Sequence, residues 1–349
     1  MRVLLDVTPA TTGQTGVARY VRQLHAGLVA APGVDVCAFA LGRGPHPAPD
    51  GTRRVGVPLR ALQASWRRTG LPRAEHLAGR GDLLHTTDLV PAPTRLPVVL
   101  TVHDLAAVEH PDLHTPGQVA MQRAQLEAAR TAAAVCADSP ATARALLRAG
   151  VDDDRVHVVP LGATALPAPA PVPVDGPYLL AVGEVTARKD LGTLVRAFRA
   201  ASLPDDVRLV LAGPPGHRAQ EVLDLVGDRV VALGRVPDDV LAGLYAGAVA
   251  LCSTSVAEGF GLPLVEAMAA GAPLVATDLE VSRDVAGDAA LYVPVGDERA
   301  WARALERVTA EPALRRGLVD RGRVRAEEFT WTRTVARTQR AYASALARA

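Results

Sequence analysis

The chain contains no isoleucine and no asparagine, and its 38 cationic residues include a single lysine, Lys189. All three residue types use AT-rich codons, so the composition points to a GC-rich genome. Arginine has taken over wherever a positive charge alone suffices. Lys189 is then either a chance survivor or a place where a compact, three-donor ammonium is needed and a planar fork will not serve. Aromatic residues make up only 3% of the chain, too few for base-stacking platforms. A net charge of +1 gives no general attraction to nucleic acid. The three cysteines, Cys37, Cys136 and Cys252, are scattered along the chain at or in apolar runs. That excludes a disulfide frame or zinc site and predicts small buried hydrophobes in a reducing compartment. No apolar run reaches the roughly 18 residues of a membrane span, and the apolar stretch of MRVLLDVTPA is broken by Asp6, unlike a signal peptide. The expected location is cytoplasmic.

What is present is a repeated alternation. The 349 residues are 49% hydrophobic and 21% charged, which suits a globular chain with two cores. Short apolar runs such as VLLDV (3–7), PVVLTVH (97–103), YLLAVG (178–183) and AVALCS (248–253) alternate with helical patterns over 16–30, 140–149, 190–201 and 262–270. This is the signature of βαβ units and parallel sheets. The expected fold class is α/β, with two doubly wound parallel-sheet domains facing a central cleft. The expected boundaries are residues 1–165 for the first domain, a Pro-rich linker at 166–177, residues 178–328 for the second, and a C-terminal helix, 329–349, packing back toward the first.

The segment STSVAEGFGLPLVEAMAAGAPLVAT (253–277) carries the strongest chemical signal. Gly259 and Gly261 permit close approach of the backbone to a ligand. Pro263 suits the first turn of a helix, whose start leaves the N–H groups of Phe260, Gly261 and Leu262 available to an anion. Gly271 is a suitable C-terminal cap. Glu258 and Glu266 flank this start. Carboxylates repel phosphate but accept hydrogen bonds from hydroxyls, so the ligand should hold both phosphate and hydroxyls, as a nucleotide sugar does. Arg188 and Lys189, after YLLAV, would supply positive charge for the diphosphate.

With these residues the chain resembles family 4 glycosyltransferases, the retaining group with the GT-B fold. EGFGLPLVE (258–266) is similar to the family's E-x7-E motif, GQTGVARY (13–20) to its N-terminal glycine loop, and TVHDL (101–105) to the strand-end His of its mannosyltransferase-like branch. ADSPATARALL (137–147), VVPLGAT (158–164), VGEVTARKDLGTLVRAF (182–198) and FTWTRTVART (329–338) occur in the same order. The resemblance implies that Glu258 accepts hydrogen bonds from the donor sugar and Glu266 from the ribose. On the same resemblance Arg188 and Lys189 would neutralise the leaving diphosphate, Gly16 would let the N-terminal loop approach it, and His103 would lie near the sugar. The nucleobase would sit by Arg235 and Val236. The N-terminal loop lacks the family's adjacent glycine pair, and Ala187 stands where proline is usual before the Arg-Lys pair.

The resulting expectation is retaining transfer of a sugar, GDP-mannose being the preferred donor and UDP- or dTDP-sugars remaining open, to a hydroxyl of a glycan, lipid-linked glycan or metabolite. No cofactor and no metal are expected, because Asp152-Asp153-Asp154 reads as a solvated turn between a helix and a strand. The alternatives are a nucleotide-sugar epimerase on the same fold and a non-catalytic nucleotide-sugar binding protein. Residues 53–73 hold six arginines, Trp66 and no acid. They form either a patch for anionic lipid, giving peripheral membrane contact, or an ordinary solvated helix. His85 is read as a hydrogen-bonded strand-end residue, and His217 as the cap of the following helix.

Overall fold

Buried valine, leucine and alanine runs form strands here, because only a sheet covered on both faces can absorb them. A computed structural model describes residues 1–13 and 15–349; Gln14, part of the N-terminal glycine loop, lies outside the described residues. The described chain divides into two units. The first comprises residues 1–108, 117–162 and 330–349, and the second residues 109–116 and 163–329.

In the first unit, strands β1 (Arg2–Asp6), β2 (Asp35–Leu41), β3 (Arg53–Val55), β4 (Leu83–Thr86), β5 (Val98–Val102), β6 (Ala134–Ala137) and β7 (Val156–Val158) form one sheet of order β3-β2-β1-β4-β5-β6-β7. All its pairings are parallel. The helix Gly16–Ala30 buries Tyr20, Val21, Leu24 and Leu28, at the i, i+1, i+4 and i+8 positions that share one face of an amphipathic helix. The C-terminal helix, Trp331–Ala347, packs against it and against β6. Gly27 makes this approach possible, since a Cβ there would stand 2.5 Å from Val335 Cγ2. Each such fully buried leucine contributes about 1.5–3 kcal/mol.

In the second unit, β8 (Tyr178–Val182), β9 (Arg208–Ala212), β10 (Val230–Gly234), β11 (Ala250–Ser253), β12 (Leu274–Thr277) and β13 (Ala290–Val293) pair in the order β10-β9-β8-β11-β12-β13, again all parallel. The helix Leu191–Ala200 places Leu191, Leu194, Val195 and Phe198 in the core. There they join Trp301 of the helix Glu298–Ala310. Residues 163–177 form no helix or strand, and Ala170 N–H donates to the Asp239 carbonyl at 3.0 Å.

The two parallel sheets expected from the sequence are present, with some corrections. Cys37 is half-exposed, with its sulfur 2.9 Å from Arg2 Nε, because β2 lies near the sheet edge; Cys136 and Cys252 are buried as expected. His217 does not cap the helix Gln220–Leu223, whose start makes no side-chain cap hydrogen bond; instead its carbonyl accepts from Ala187 N–H. Strand β3 and the helices Glu298–Ala310 and Pro312–Ala326 add elements beyond those read from the sequence. Asp152–Asp154 lie in and beside a 3₁₀ turn and pair with Arg155 and Arg348. Among the described residues, no helix is long and apolar enough to cross a membrane.

Candidate active site

Open parallel sheets bind ligands beyond the carboxyl ends of their strands, where the strand order reverses. In the second unit this point lies between β8 and β11, and the loops after both strands carry charge. The loop after β8 ends in a 3₁₀ turn, Ala187–Lys189. The loop after β11 leads to the helix Leu262–Ala270. Main-chain groups tie the loops together. Val256 N–H donates to the Arg188 carbonyl at 2.9 Å, and the Thr254 hydroxyl donates to the Lys189 carbonyl at 2.7 Å. Asp190 then takes a left-handed conformation, φ 45°, steadied by the Thr193 hydroxyl at 2.9 Å.

The backbone so fixed turns both cations onto Glu258. Arg188 Nη1 donates to Glu258 Oε2 at 3.0 Å and to the Ala257 carbonyl at 2.6 Å. Lys189 Nζ makes a short contact to Oε1, which also accepts from the Ser255 hydroxyl at 2.6 Å. Burial alone would raise the Glu258 pKa, but Lys189 and Arg188 outweigh it and hold the carboxyl well below the usual range. Gly183, at the end of β8, has φ 138° and faces Lys189: a Cβ there would come within 3.2 Å of Lys189 Cε. Glycine is needed both for the backbone angle and for that space.

The helix Leu262–Ala270 starts at Gly261, φ 88°, with proline in its first turn, and stops at Gly271, φ 79°. Phe260 turns its ring inward, edge-on to Phe329 at 5.6 Å. Glu266 is buried on this helix and accepts a hydrogen bond from the Tyr245 hydroxyl at 3.0 Å. Arg235 and Val236 come after β10, two strands away from β8 in the sheet.

In the first unit the reversal lies between β1 and β4. Gly16 is the first residue of the helix Gly16–Ala30, capped by Thr15, whose hydroxyl accepts from Ala18 N–H. His103 stands just past β5. Its Nδ1 lies 2.6 Å from Asp138 Oδ2, and its Nε2 lies 3.0 Å from the Thr87 carbonyl. A carbonyl only accepts, so Nε2 carries a proton. Tyr20 meets the ring edge-on at 5.0 Å. Burial opposes a charge on His103, but Asp138, with Asp88 and Asp104 nearby, outweighs it and raises the pKa to about 9. Burial also pushes Asp6 and Asp88 up to about 6. His85, bonded to Tyr342 and Thr101 at 2.7 and 2.8 Å, is held down at about 3 by burial, which fits a neutral structural residue.

The structure thus brings Arg188, Lys189 and Glu258 into one cluster and puts Glu266 on the helix that this loop begins. Sequence reasoning missed Gly183, Ser255 and Tyr245 in the second unit, and Thr87, Asp138 and Tyr20 in the first. Ser255 lies three residues before Glu258 inside the 253–277 motif, so its proximity was available; Asp138, although inside the 137–147 motif, and the others needed the fold.

Two family profiles match the chain. The profile described as Glycosyltransferase Family 4 matches residues 14–164, and the one described as Glycosyl transferases group 1 matches residues 176–311. The D-inositol 3-phosphate glycosyltransferase of Xylanimonas cellulosilytica is 32% identical over 72% of this chain and 67% of its own length. The chain belongs to glycosyltransferase family 4. The MMP alpha-(1->4)-mannosyltransferase of Mycolicibacterium hassiacum is 33% identical over 57% of this chain, which spans half of that relative. Among solved structures, sucrose-phosphate synthase from Thermosynechococcus elongatus superposes over 100% of both chains with a TM-score of 0.79 at 25% identity. Anabaena HepE in complex with UDP and glucose shares the fold, covering 99% of this chain and all of its own, with a TM-score of 0.74 at 18% identity.

Proposed function

We propose that this glycosyltransferase moves a sugar, with retention, from a nucleotide-sugar donor to a hydroxyl acceptor, and that the donor is GDP-mannose. The observation that carries the proposal is the cluster of Arg188 and Lys189 beside a glycine-led helix start at the switch point of the second sheet. Several relatives are named mannosyltransferases, which favours mannose.

In the proposed reaction the bond from the anomeric carbon to the diphosphate oxygen breaks, and its electron pair stays on the diphosphate. The acceptor oxygen bonds to the same face of the carbon, and its proton passes to the departing phosphate oxygen. Charge grows on the diphosphate as the bond loosens. Lys189, Arg188 and the helix start therefore favour the transition state over the ground state. Glu258 accepts from the sugar hydroxyls, Glu266 from the ribose, His103 contacts the sugar, and Gly16 lies by the phosphate. The base rests on main chain near Arg235 and Val236.

No metal takes part in this scheme, and activity should survive EDTA. Arg53, Arg60, Arg67 and Arg68 are exposed and, among the described residues, have no ion-pair partner. They suit an acceptor presented at an anionic lipid surface. The test is incubation with GDP-mannose, UDP-glucose and dTDP-glucose over a panel of glycan and lipid-linked acceptors, with NMR of the product. The expected result is released nucleotide and a product with the donor's anomeric configuration. Donor isomerised without nucleotide release would replace transfer by epimerisation.

A further inference from the structure

A carboxylate beside the cations of a diphosphate site presents a conflict, because it repels the ligand those cations serve. The geometry resolves it. Glu258 uses one oxygen for each cation, Oε1 for Lys189 and Oε2 for Arg188, as two phosphate oxygens would. A diphosphate that approaches both cations competes with the Glu258 carboxylate for them. We propose that Glu258 is an internal stand-in for the diphosphate: it holds the Arg188 and Lys189 side chains in register until an incoming diphosphate displaces it.

Four features suit such an exchange. The three side chains are not sealed: Arg188, Lys189 and Glu258 keep 23%, 14% and 11% of their surface exposed, so a small anion can reach them. The backbones of Arg188 and Lys189 are pinned by Val256 and Thr254, so the exchange moves side chains and leaves the loops in place. The Ser255 hydroxyl remains on Oε1 and keeps the displaced carboxylate hydrogen-bonded. Gly183 leaves Lys189 room beside it, a Cβ there lying only 3.5 Å from Nζ. The electrostatics favour the same picture. Two neighbouring cations without an anion repel each other in a partly buried site, whereas passing from one anion to another keeps them neutralised throughout. Two cations against one carboxylate also leave a net positive charge to attract the newcomer. Once displaced, Glu258 is free to accept from the hydroxyls of the transferred sugar. That last step rests on the nucleotide-sugar function proposed above; the anion exchange does not.

The test is calorimetric titration of the full chain with inorganic pyrophosphate, then with GDP and GDP-mannose, for the wild type, Glu258→Gln and Glu258→Asp. Glutamine removes the competing charge at nearly constant shape. Pyrophosphate should bind Glu258→Gln about tenfold or more tightly than wild type, a gain of ~1.4 kcal/mol. Glu258→Asp, one methylene shorter and unable to span both cations, keeps the charge and should gain by a smaller factor, which preserves the test if the glutamine variant does not fold. GDP should behave like pyrophosphate, whereas turnover of GDP-mannose should fall. Equal or weaker pyrophosphate binding by both variants would overturn the stand-in role. Tighter pyrophosphate binding without any nucleotide binding would leave the exchange standing and remove the nucleotide-sugar function. Nucleotide-sugar turnover in the wild type with no tightening in either variant would do the reverse.

Discussion

The two units share one strand order through six strands, yet the chemistry at their reversals differs. Between β8 and β11, charged side chains face one another with part of their surface open and hold each other by ion pairs. Toward or just past the ends of β1, β4, β5 and β6, the titratable groups Asp6, His85, His103 and Asp138 are buried or nearly so, and local N–H groups, hydroxyls, carbonyls or each other satisfy them. The scaffold only delivers strand ends to one edge. The loop after each strand decides whether that edge becomes an anion site or a fixed hydrogen-bonded lattice. In the second unit a mutation should act mainly on ligand and turnover, in the first mainly on stability.

The sharpest break in that comparison is Lys189→Ala. In the proposed reaction it removes a donor that strengthens as the diphosphate leaves, and should cost about 3–4 kcal/mol of barrier, on the order of several hundredfold in turnover. Lys189→Arg should recover only part, because a planar fork replaces a point charge. Turnover measured under saturating donor separates the three proteins. Next in size is Asp138→Ala, which takes from the buried His103 the carboxylate bonded to its Nδ1. It should lose about 3–5 kcal/mol in urea unfolding. Gly183→Ala bridges the two behaviours. Its φ of 138° and the closeness of Lys189 predict about 1–3 kcal/mol of strain together with lower turnover. A variant that loses stability but retains full turnover would show that the glycine serves the backbone alone.

The pH dependence sharpens the contrast further. The His103 pKa is raised from 6.5 to about 9, so its stabilisation is complete below pH 6.5 and fades as pH rises through about 9. The Glu258 pKa is depressed, so its contribution is complete above its ordinary 4.5 and is lost as pH falls through the depressed value. Urea midpoints across the alkaline range should therefore decline more for wild type than for His103→Gln; parallel curves would show that His103 is not charged. The smallest stability effect belongs to the triple change of Arg60, Arg67 and Arg68 to Gln. Each exposed site should shift stability by less than about 0.5 kcal/mol, while salt-sensitive sedimentation with anionic liposomes should disappear if the segment meets lipid.

The second site was largely legible before the fold. Glycine, proline and carboxylate at fixed offsets announce a helix start, which the structure shows at Gly261, and these residues lie within one short stretch. The lone lysine was legible by rarity. The pairing of Lys189 with Glu258 was not, because 69 residues separate them and only the order of β8 and β11 brings them together. The first site was less legible for the same reason: His103 and Asp138 meet across 35 residues, and no spacing announces a bond between two strand ends. Helices such as Pro312–Ala326 escaped notice because few of their residues are buried and their apolar period is faint. Trp66 was read as part of a lipid-facing patch or solvated helix. It packs partly against the cluster of Leu4, Leu62 and Leu84, while the neighbouring arginines face solvent, a division that composition alone does not reveal.

The central claim is that Arg188 and Lys189 make the second unit a nucleoside diphosphate site. Its most direct test is calorimetric titration of the protein with GDP, UDP and dTDP, repeated on Lys189→Ala. Selective binding of one nucleotide, expected to be GDP, clearly weakened by the substitution, is the predicted result. No binding of any of the three, or binding untouched by the loss of Lys189, would contradict it.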